Sequence, residues 1–199
     1  MDGMPMEISP KYSIEDWNKL DLSKGAKEED WKTGIDIFED RMMGRFFIPI
    51  NEIKGCRFAG FVIMGVLCLL IETLEQFRKG VEATPRKRGE GEKYFVSFLT
   101  TPPTQEKFCE ADLAKKFYDS IRCGILHQAE IKGSSRIRID VPKLMEKTED
   151  GEGLIINRNL FIEKMEKELK SYIKMLRDDK HEELRANFIK KMDYICKKK

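Results

Sequence analysis

From Phe58 to Ile71 the chain runs fourteen residues without a charge, bounded by Arg57 and Glu72. No other stretch limits the fold as much. Crossing a bilayer takes roughly 20 apolar residues, so a run of this length predicts a core helix with no membrane span. The predicted helix covers about residues 56–79. Gly60 and Gly65 in its first half let a neighbouring helix approach closely, and Gly80 stands where a C-terminal cap belongs. Its first half is apolar on all sides, which makes it the central element.

The remaining periodicity is mostly helical. Trp31, Ile35, Phe38, Met42 and Phe46 recur at helical spacing and predict a long amphipathic helix from Glu28 that ends near Pro49. Phe95, Phe98 and Leu99 predict one or two helical turns. Thr104 reads as an N-cap, opening a helix with Phe108, Leu113, Phe117, Ile121 and Ile125 on its apolar side. After Gly133-Ser134-Ser135 the period changes to two. Ile137, Ile139 and Val141 alternate with Arg136, Arg138 and Asp140, and Leu154-Ile155-Ile156 returns as a partner strand, so a small hairpin is expected. Two closing helices carry Leu160, Phe161, Met165, Leu169, Tyr172, Ile173 and Leu176, then Leu184, Phe188, Met192 and Ile195. The expectation is an all-α bundle with a small β-hairpin insertion: an irregular N-terminal segment over residues 1–27 and a single helical domain over residues 28–199.

Composition narrows the class further. A length of 199 residues with 41% hydrophobic content fills one ordinary core. The net charge of +2 argues against coating nucleic acid by bulk positive charge. That total hides an acidic start and two basic stretches, residues 86–138 and 159–199. Cys56, Cys68, Cys109, Cys123 and Cys196 are odd in number without a C-x-x-C pair, so they read as reduced thiols of a cytoplasmic protein. Residues 1–10 lack the basic and apolar regions of a signal peptide. No metal-ligand cluster or cofactor motif is evident, so neither a metal nor a cofactor is called for.

Only two histidines are present. His181 sits in the polar junction Asp178-Asp179-Lys180-His181-Glu182-Glu183 and reads as an exposed cap residue. His127 follows Ile125-Leu126 on a predicted helix, five residues after Arg122, in the string Phe117-Tyr118-Asp119-Ser120-Ile121-Arg122-Cys123-Gly124-Ile125-Leu126-His127-Gln128-Ala129-Glu130. A neutral imidazole, with a reference pKa of about 6.5, takes a proton near neutral pH. An arginine offers a planar fork of donors to phosphate oxygens and stays charged. RNA supplies its own nucleophile, the 2′-hydroxyl, so a base and a phosphate clamp suffice. On an ideal helix, five residues put Arg122 and His127 about 140° apart, on different faces. The long arginine side chain, a bend at Gly124 or a second chain across a two-fold axis would each bring them together.

This string resembles the motif region of the HEPN superfamily, an Arg followed by four to six residues and a His, with an aromatic residue ahead and polar residues behind. The resemblance extends over most of residues 28–180. It implies a helical bundle, a symmetric homodimer that joins two motifs, and in many members a metal-independent endoribonuclease. Such an enzyme leaves 2′,3′-cyclic phosphate and 5′-hydroxyl ends. On this expectation Arg122 and His127 are catalytic. Cys123, Gln128, Tyr118 and Asp119 assist, with Lys116, Ser120, Glu72 and Glu75 as further polar neighbours. Arg86, Lys87, Arg88 and Lys116 bind RNA. The expected setting is antiviral defence or toxin–antitoxin biology, with RNA, a second copy and an antitoxin or defence-system protein as partners and no membrane. The chain departs from the pattern twice. Cys123 stands where many active members carry Asn, Asp or His, and Ala129 stands where nucleotidyltransferase-regulated members carry Tyr. The alternative is therefore a catalytically inactive HEPN-like module that binds RNA or nucleotide or docks a protein, and a helical interaction protein is a third.

Overall fold

A computed structural model describes residues 6–197. It is mostly helical and carries one small three-stranded sheet. Chain contacts sort the described residues into two compact units, one from residues 6–51, 76–82 and 173–197 and the other from residues 52–75 and 83–172. The expected boundary at residue 28 coincides with neither. Lys198 and Lys199, at the end of the second basic stretch, and the first five residues of the stretch read as lacking a signal peptide lie outside the described residues.

The first unit is built on α1 (Ile14–Asn18), α2 (Glu28–Met42), a π-helical turn (Met43–Phe47), α3 (Ile48–Ile53, through Asn51) and α9 (Glu182–Cys196). The N-terminal stretch expected to be irregular contains α1. Ser13 and Asp16 form a reciprocal capping box at its start, and Trp17 is wholly buried. The indole N–H of Trp17 donates to Asp193 at 2.8 Å and its ring meets Phe188 edge-on. Phe38 packs edge-on against both Phe77 and Phe188. The helix expected to end near Pro49 continues to Ile53, because the π turn directly ahead changes the carbonyl pairing where proline lacks an N–H.

The second unit holds most of α4 (Gly60–Lys79), then α5 (Glu90–Thr100), α6 (Ala111–Phe117), a π-helical turn (Tyr118–Cys123), α7 (Gly124–Gln128), β1 (Arg136–Arg138), β2 (Met145–Lys147), β3 (Leu154–Asn157) and most of α8 (Arg158–Arg177). Its aromatic core runs through Phe95, Phe117, Phe161, Phe108 and Phe98. α4 starts four residues later than expected, since Phe58 at φ +67 breaks the helical path. Ile63, Met64, Leu67, Cys68, Leu70 and Ile71 are buried on one side of α4, while Phe61, Val62 and Leu69 face outward. By length and composition α4 also qualifies to cross a membrane.

Three expectations are corrected here. α5 has three turns, because its polar start Glu90–Lys93 continues the helix that the Phe residues anchor. Thr104 caps no helix: α6 begins at Ala111, and both the N–H and hydroxyl of Thr104 donate to the buried carboxylate of Glu168, at 2.8 and 2.6 Å. The sheet is no simple hairpin. β1 pairs with β3 in parallel, whereas β2, which the alternation did not reveal, forms the antiparallel partner of β3.

Candidate functional site

Arg122 and His127 do meet within one chain. Tyr118–Cys123 form a π-helical turn, which widens the helix toward an i→i+5 repeat. The turn ends at Cys123 and Gly124–Gln128 continue as α7, so it is the long Arg122 side chain that spans the remaining offset to His127. An Nη1 of Arg122 lies 3.2 Å from Nε2 of His127. Guanidinium nitrogens only donate, so as a hydrogen bond this contact takes Nε2 as its acceptor.

The rest of the guanidinium is enclosed. Its Nη2 reaches Glu72 on α4 at 3.4 Å, and Tyr118 places its ring 5.4 Å from the guanidinium carbon. Burial works to lower the pKa of Arg122, but Tyr118, the Glu72 carboxylate and the Cys123 thiol more than offset it, and the pKa lies above its ordinary value. Nε of Arg122 is buried without a hydrogen-bond partner. Burial likewise pushes the Tyr118 phenol up, with Cys123 and Glu72 acting in the same direction against Arg122. Cys68 on α4 is buried close by, and its thiol is raised far above the ordinary range by burial, so it is inert. None of the five cysteines is joined in a disulfide.

The surrounding backbone explains these positions. Gly65 of α4 is the crossing point for α7: a methyl group there would lie 3.5 Å from Ile125. Gly124 has no room for a side chain because the carbonyl of Glu130 lies against it, where the chain folds back after Ala129 in the left-handed region. That return bonds Lys132 N–H to the Ser120 carbonyl at 3.1 Å and brings the Lys132 ammonium to Asp119 at 2.8 Å. Gly91, in the first turn of α5, is a close approach as well. A methyl group there would come within 2.6 Å of the Tyr118 hydroxyl.

The expected assisting residues divide. Tyr118 and Cys123 contact Arg122, Asp119 is turned to Lys132, and Gln128 is exposed at the end of α7. Ser120 is buried in the turn and contributes its carbonyl. Glu72 touches Arg122, whereas Glu75 is fully buried and accepts from Ser97 at 2.6 Å, tying α5 to α4. Lys116 is turned away to the carbonyl of Gly151. Arg86, Lys87 and Arg88 are exposed on the loop that ends at Gly89, two residues before the contact with Tyr118. His181 is the N-cap of α9 and makes no side-chain capping bond. The role of Gly91 left no trace in the sequence, since it depends on a tyrosine 27 positions later. Among the described residues no group of three or more His, Cys, Asp or Glu side chains is placed to hold a metal ion.

Comparisons with family models, with curated proteins and with solved structures return no match for this chain.

Proposed function

We propose that the chain is a metal-independent endoribonuclease of HEPN type, acting as a homodimer, with Arg122 and His127 as its catalytic pair. The observation that carries this reading is the 3.2 Å contact between Arg122 and His127 Nε2, made where a π-helical turn passes into the exposed end of α7. An RNA phosphate entering beside the pair draws the guanidinium onto its own oxygens, a stronger acceptor than a neutral imidazole. Nε2 is then free to take the proton of the 2′-hydroxyl. The 2′-oxygen attacks phosphorus, Arg122 stabilises the charge of the pentacoordinate phosphorane, and the bond to the 5′-oxygen breaks. The leaving oxygen gains a proton from water or from the imidazolium just formed, giving a 2′,3′-cyclic phosphate and a 5′-hydroxyl. Glu72 holds Arg122 at the ready, and Arg86, Lys87 and Arg88 lie on the exposed loop that leads to Gly91, whose backbone meets Tyr118.

The dimer is supported by the outward face of α4. Phe61, Val62 and Leu69 are exposed there, and Leu126 is exposed beside His127 on α7, which crosses α4 at Gly65. This apolar strip adjoins the pair, so a second copy seated on it would set two sites at one seam.

Arg122→Ala and His127→Ala, assayed separately for RNA cleavage in chelator, test the assignment. Each is expected to lose at least about 100-fold in rate, and cleavage that survives both changes would sink it. Glu72 and Cys123, both drawn to Arg122, favour one second reading, a module that binds RNA without cutting it. Under it, the chain retains RNA with steep salt dependence and leaves it intact.

A further inference from the structure

Arg158 is the first residue of α8 and is only 7% exposed. Among the described residues no carboxylate pairs with it. Its Nη2 donates to the carbonyl of Lys54 at 2.8 Å, while Nε is buried with no partner at all. A buried guanidinium without a counter-charge is costly to the fold. Two further features add to the positive field. The N-terminal end of a helix carries partial positive charge, and Arg158 sits at such an end, so the α8 dipole opposes it. The guanidinium also faces the start of a second helix: a methyl group on Gly60, the first residue of the twenty-residue α4, would lie 3.9 Å from Nη1 of Arg158. Neither helix has an acidic residue in its first turn.

The opening of α4 presents donors to the same place. The backbone N–H groups of Gly60, Phe61 and Val62 take no carbonyl partner among the described residues, and the first such bond of the helix is from Ile63 to Ala59 at 3.0 Å. Gly60 keeps this end open, since a side chain there would press on Ile137 of β1. The covering loop, residues 54–58, is exposed and adds Lys54 and Arg57. Arg136 and Arg138 flank Ile137, the latter neutralised by Asp140 through bonds of 2.8 and 2.6 Å.

We propose that Arg158 and the first N–H groups of α4 form an anion site that takes a phosphate group, apart from the Arg122 and His127 pair. Donors arriving from a helix end on one side and a guanidinium fork on another suit a tetrahedral dianion better than a planar carboxylate. The phosphate is either inorganic or the terminal group of a phosphate monoester; both offer the same oxygens. The site does not depend on ribonuclease activity.

The test is a titration of the full chain with inorganic phosphate, with ionic strength held constant by chloride, followed by amide NMR and thermal unfolding. The amides of Gly60, Phe61 and Val62 and the Nε–H of Arg158 are expected to shift saturably, and the melting temperature to rise. In Arg158→Met the affinity should fall about tenfold or more, the loss of one charged hydrogen-bonding partner, and Arg158→Lys should retain part of it. A nucleoside 5′-monophosphate that binds more tightly than inorganic phosphate identifies a monoester as the natural ligand, and equal binding identifies the free anion. Should Arg158→Met fail to fold, the wild-type spectra decide. Absence of a saturable shift at these amides, or a shift that chloride reproduces, overturns the proposal, as does a response confined to residues 86–88.

Discussion

A single methyl group is the sharpest probe of the candidate site. Gly91→Ala would bring its Cβ to 2.6 Å from the Tyr118 hydroxyl, and the Tyr118 ring has little freedom to yield because Phe95 meets it at 5.3 Å and Arg122 lies over it. Overpacking of this kind costs about 1–3 kcal/mol, and here the displaced ring is the shelf under the guanidinium. The expected result is a fall in kcat for RNA cleavage larger than the change in KM. Tyr118→Phe, which removes the clashing oxygen, should restore most of the activity in the Gly91→Ala background while doing little alone. A double-mutant cycle with no coupling between the two positions would show that Tyr118 does not place Arg122. Glu72→Gln is the companion change. It removes a charge from Arg122 but keeps a hydrogen-bonding oxygen, so RNA affinity should rise or hold while the melting temperature falls modestly, because the pair is largely buried but its 3.4 Å contact is long.

At the scale of elements, the buried carboxylate of Glu168 joins the segment after α5 to α8. It accepts both donors of Thr104, and Lys164 lies 3.3 Å away. Glu168→Ala is expected to cost about 3 kcal/mol in urea unfolding, since hydrogen bonds to a charged group are worth about 1.5–3 kcal/mol each and the Thr104 N–H is left without its acceptor. The β2–β3 loop gives a pH signature. Asp150 accepts from the Thr148 hydroxyl, the Glu152 amide and the Ser134 hydroxyl, which together hold its pKa down at about 2. A depressed carboxylate pKa stabilises the fold above the ordinary value of 3.8, and that support is lost as pH falls toward about 2. The protection of the Glu152 amide, its exchange rate taken relative to the intrinsic rate at each pH, should therefore fall across that window and stay flat above it. Much of this level was legible in the sequence. Trp31, Ile35, Phe38 and Met42 all point inward at their helical spacing, as do Phe161, Met165, Leu169 and Tyr172. What escaped was nonlocal. Thr104 has the chemistry of a helix cap, but a carboxylate 64 positions later takes its donors. The parallel pairing of β1 with β3 needs a strand between them in sequence that carries almost no alternation. The π turn that holds Arg122 has no residue signature, and its side chain is set by Glu72 and Tyr118, so the spacing to His127 was readable and the contact was not.

For the whole molecule, charge and surface lead to the same test. The near-zero net charge argues against holding RNA by general attraction, so any affinity for RNA is expected from local groups such as Arg122 and the exposed loop of Arg86, Lys87 and Arg88. The second unit also leaves an uncharged strip beside them. Leu69 is 50% exposed and Val62 59%, values at odds with their place in the most apolar helix of the chain unless another surface covers them. Placing a carboxylate there separates assembly from folding. Val62→Glu and Leu69→Glu change side chains that already face outward, so neither should reduce the melting temperature of the isolated chain by more than surface substitutions usually do, within about 0.5 kcal/mol. Light scattering should find a dimer for the wild type and a monomer for each variant. If the active unit is two chains, RNA cleavage falls with the dimer, and it recovers at protein concentrations that restore association. A wild type that is monomeric at working concentration yet cleaves RNA would detach catalysis from this face. A monomeric variant that still cleaves at the wild-type rate would do the same, and the Arg122 and His127 pair would then be a complete site within one chain.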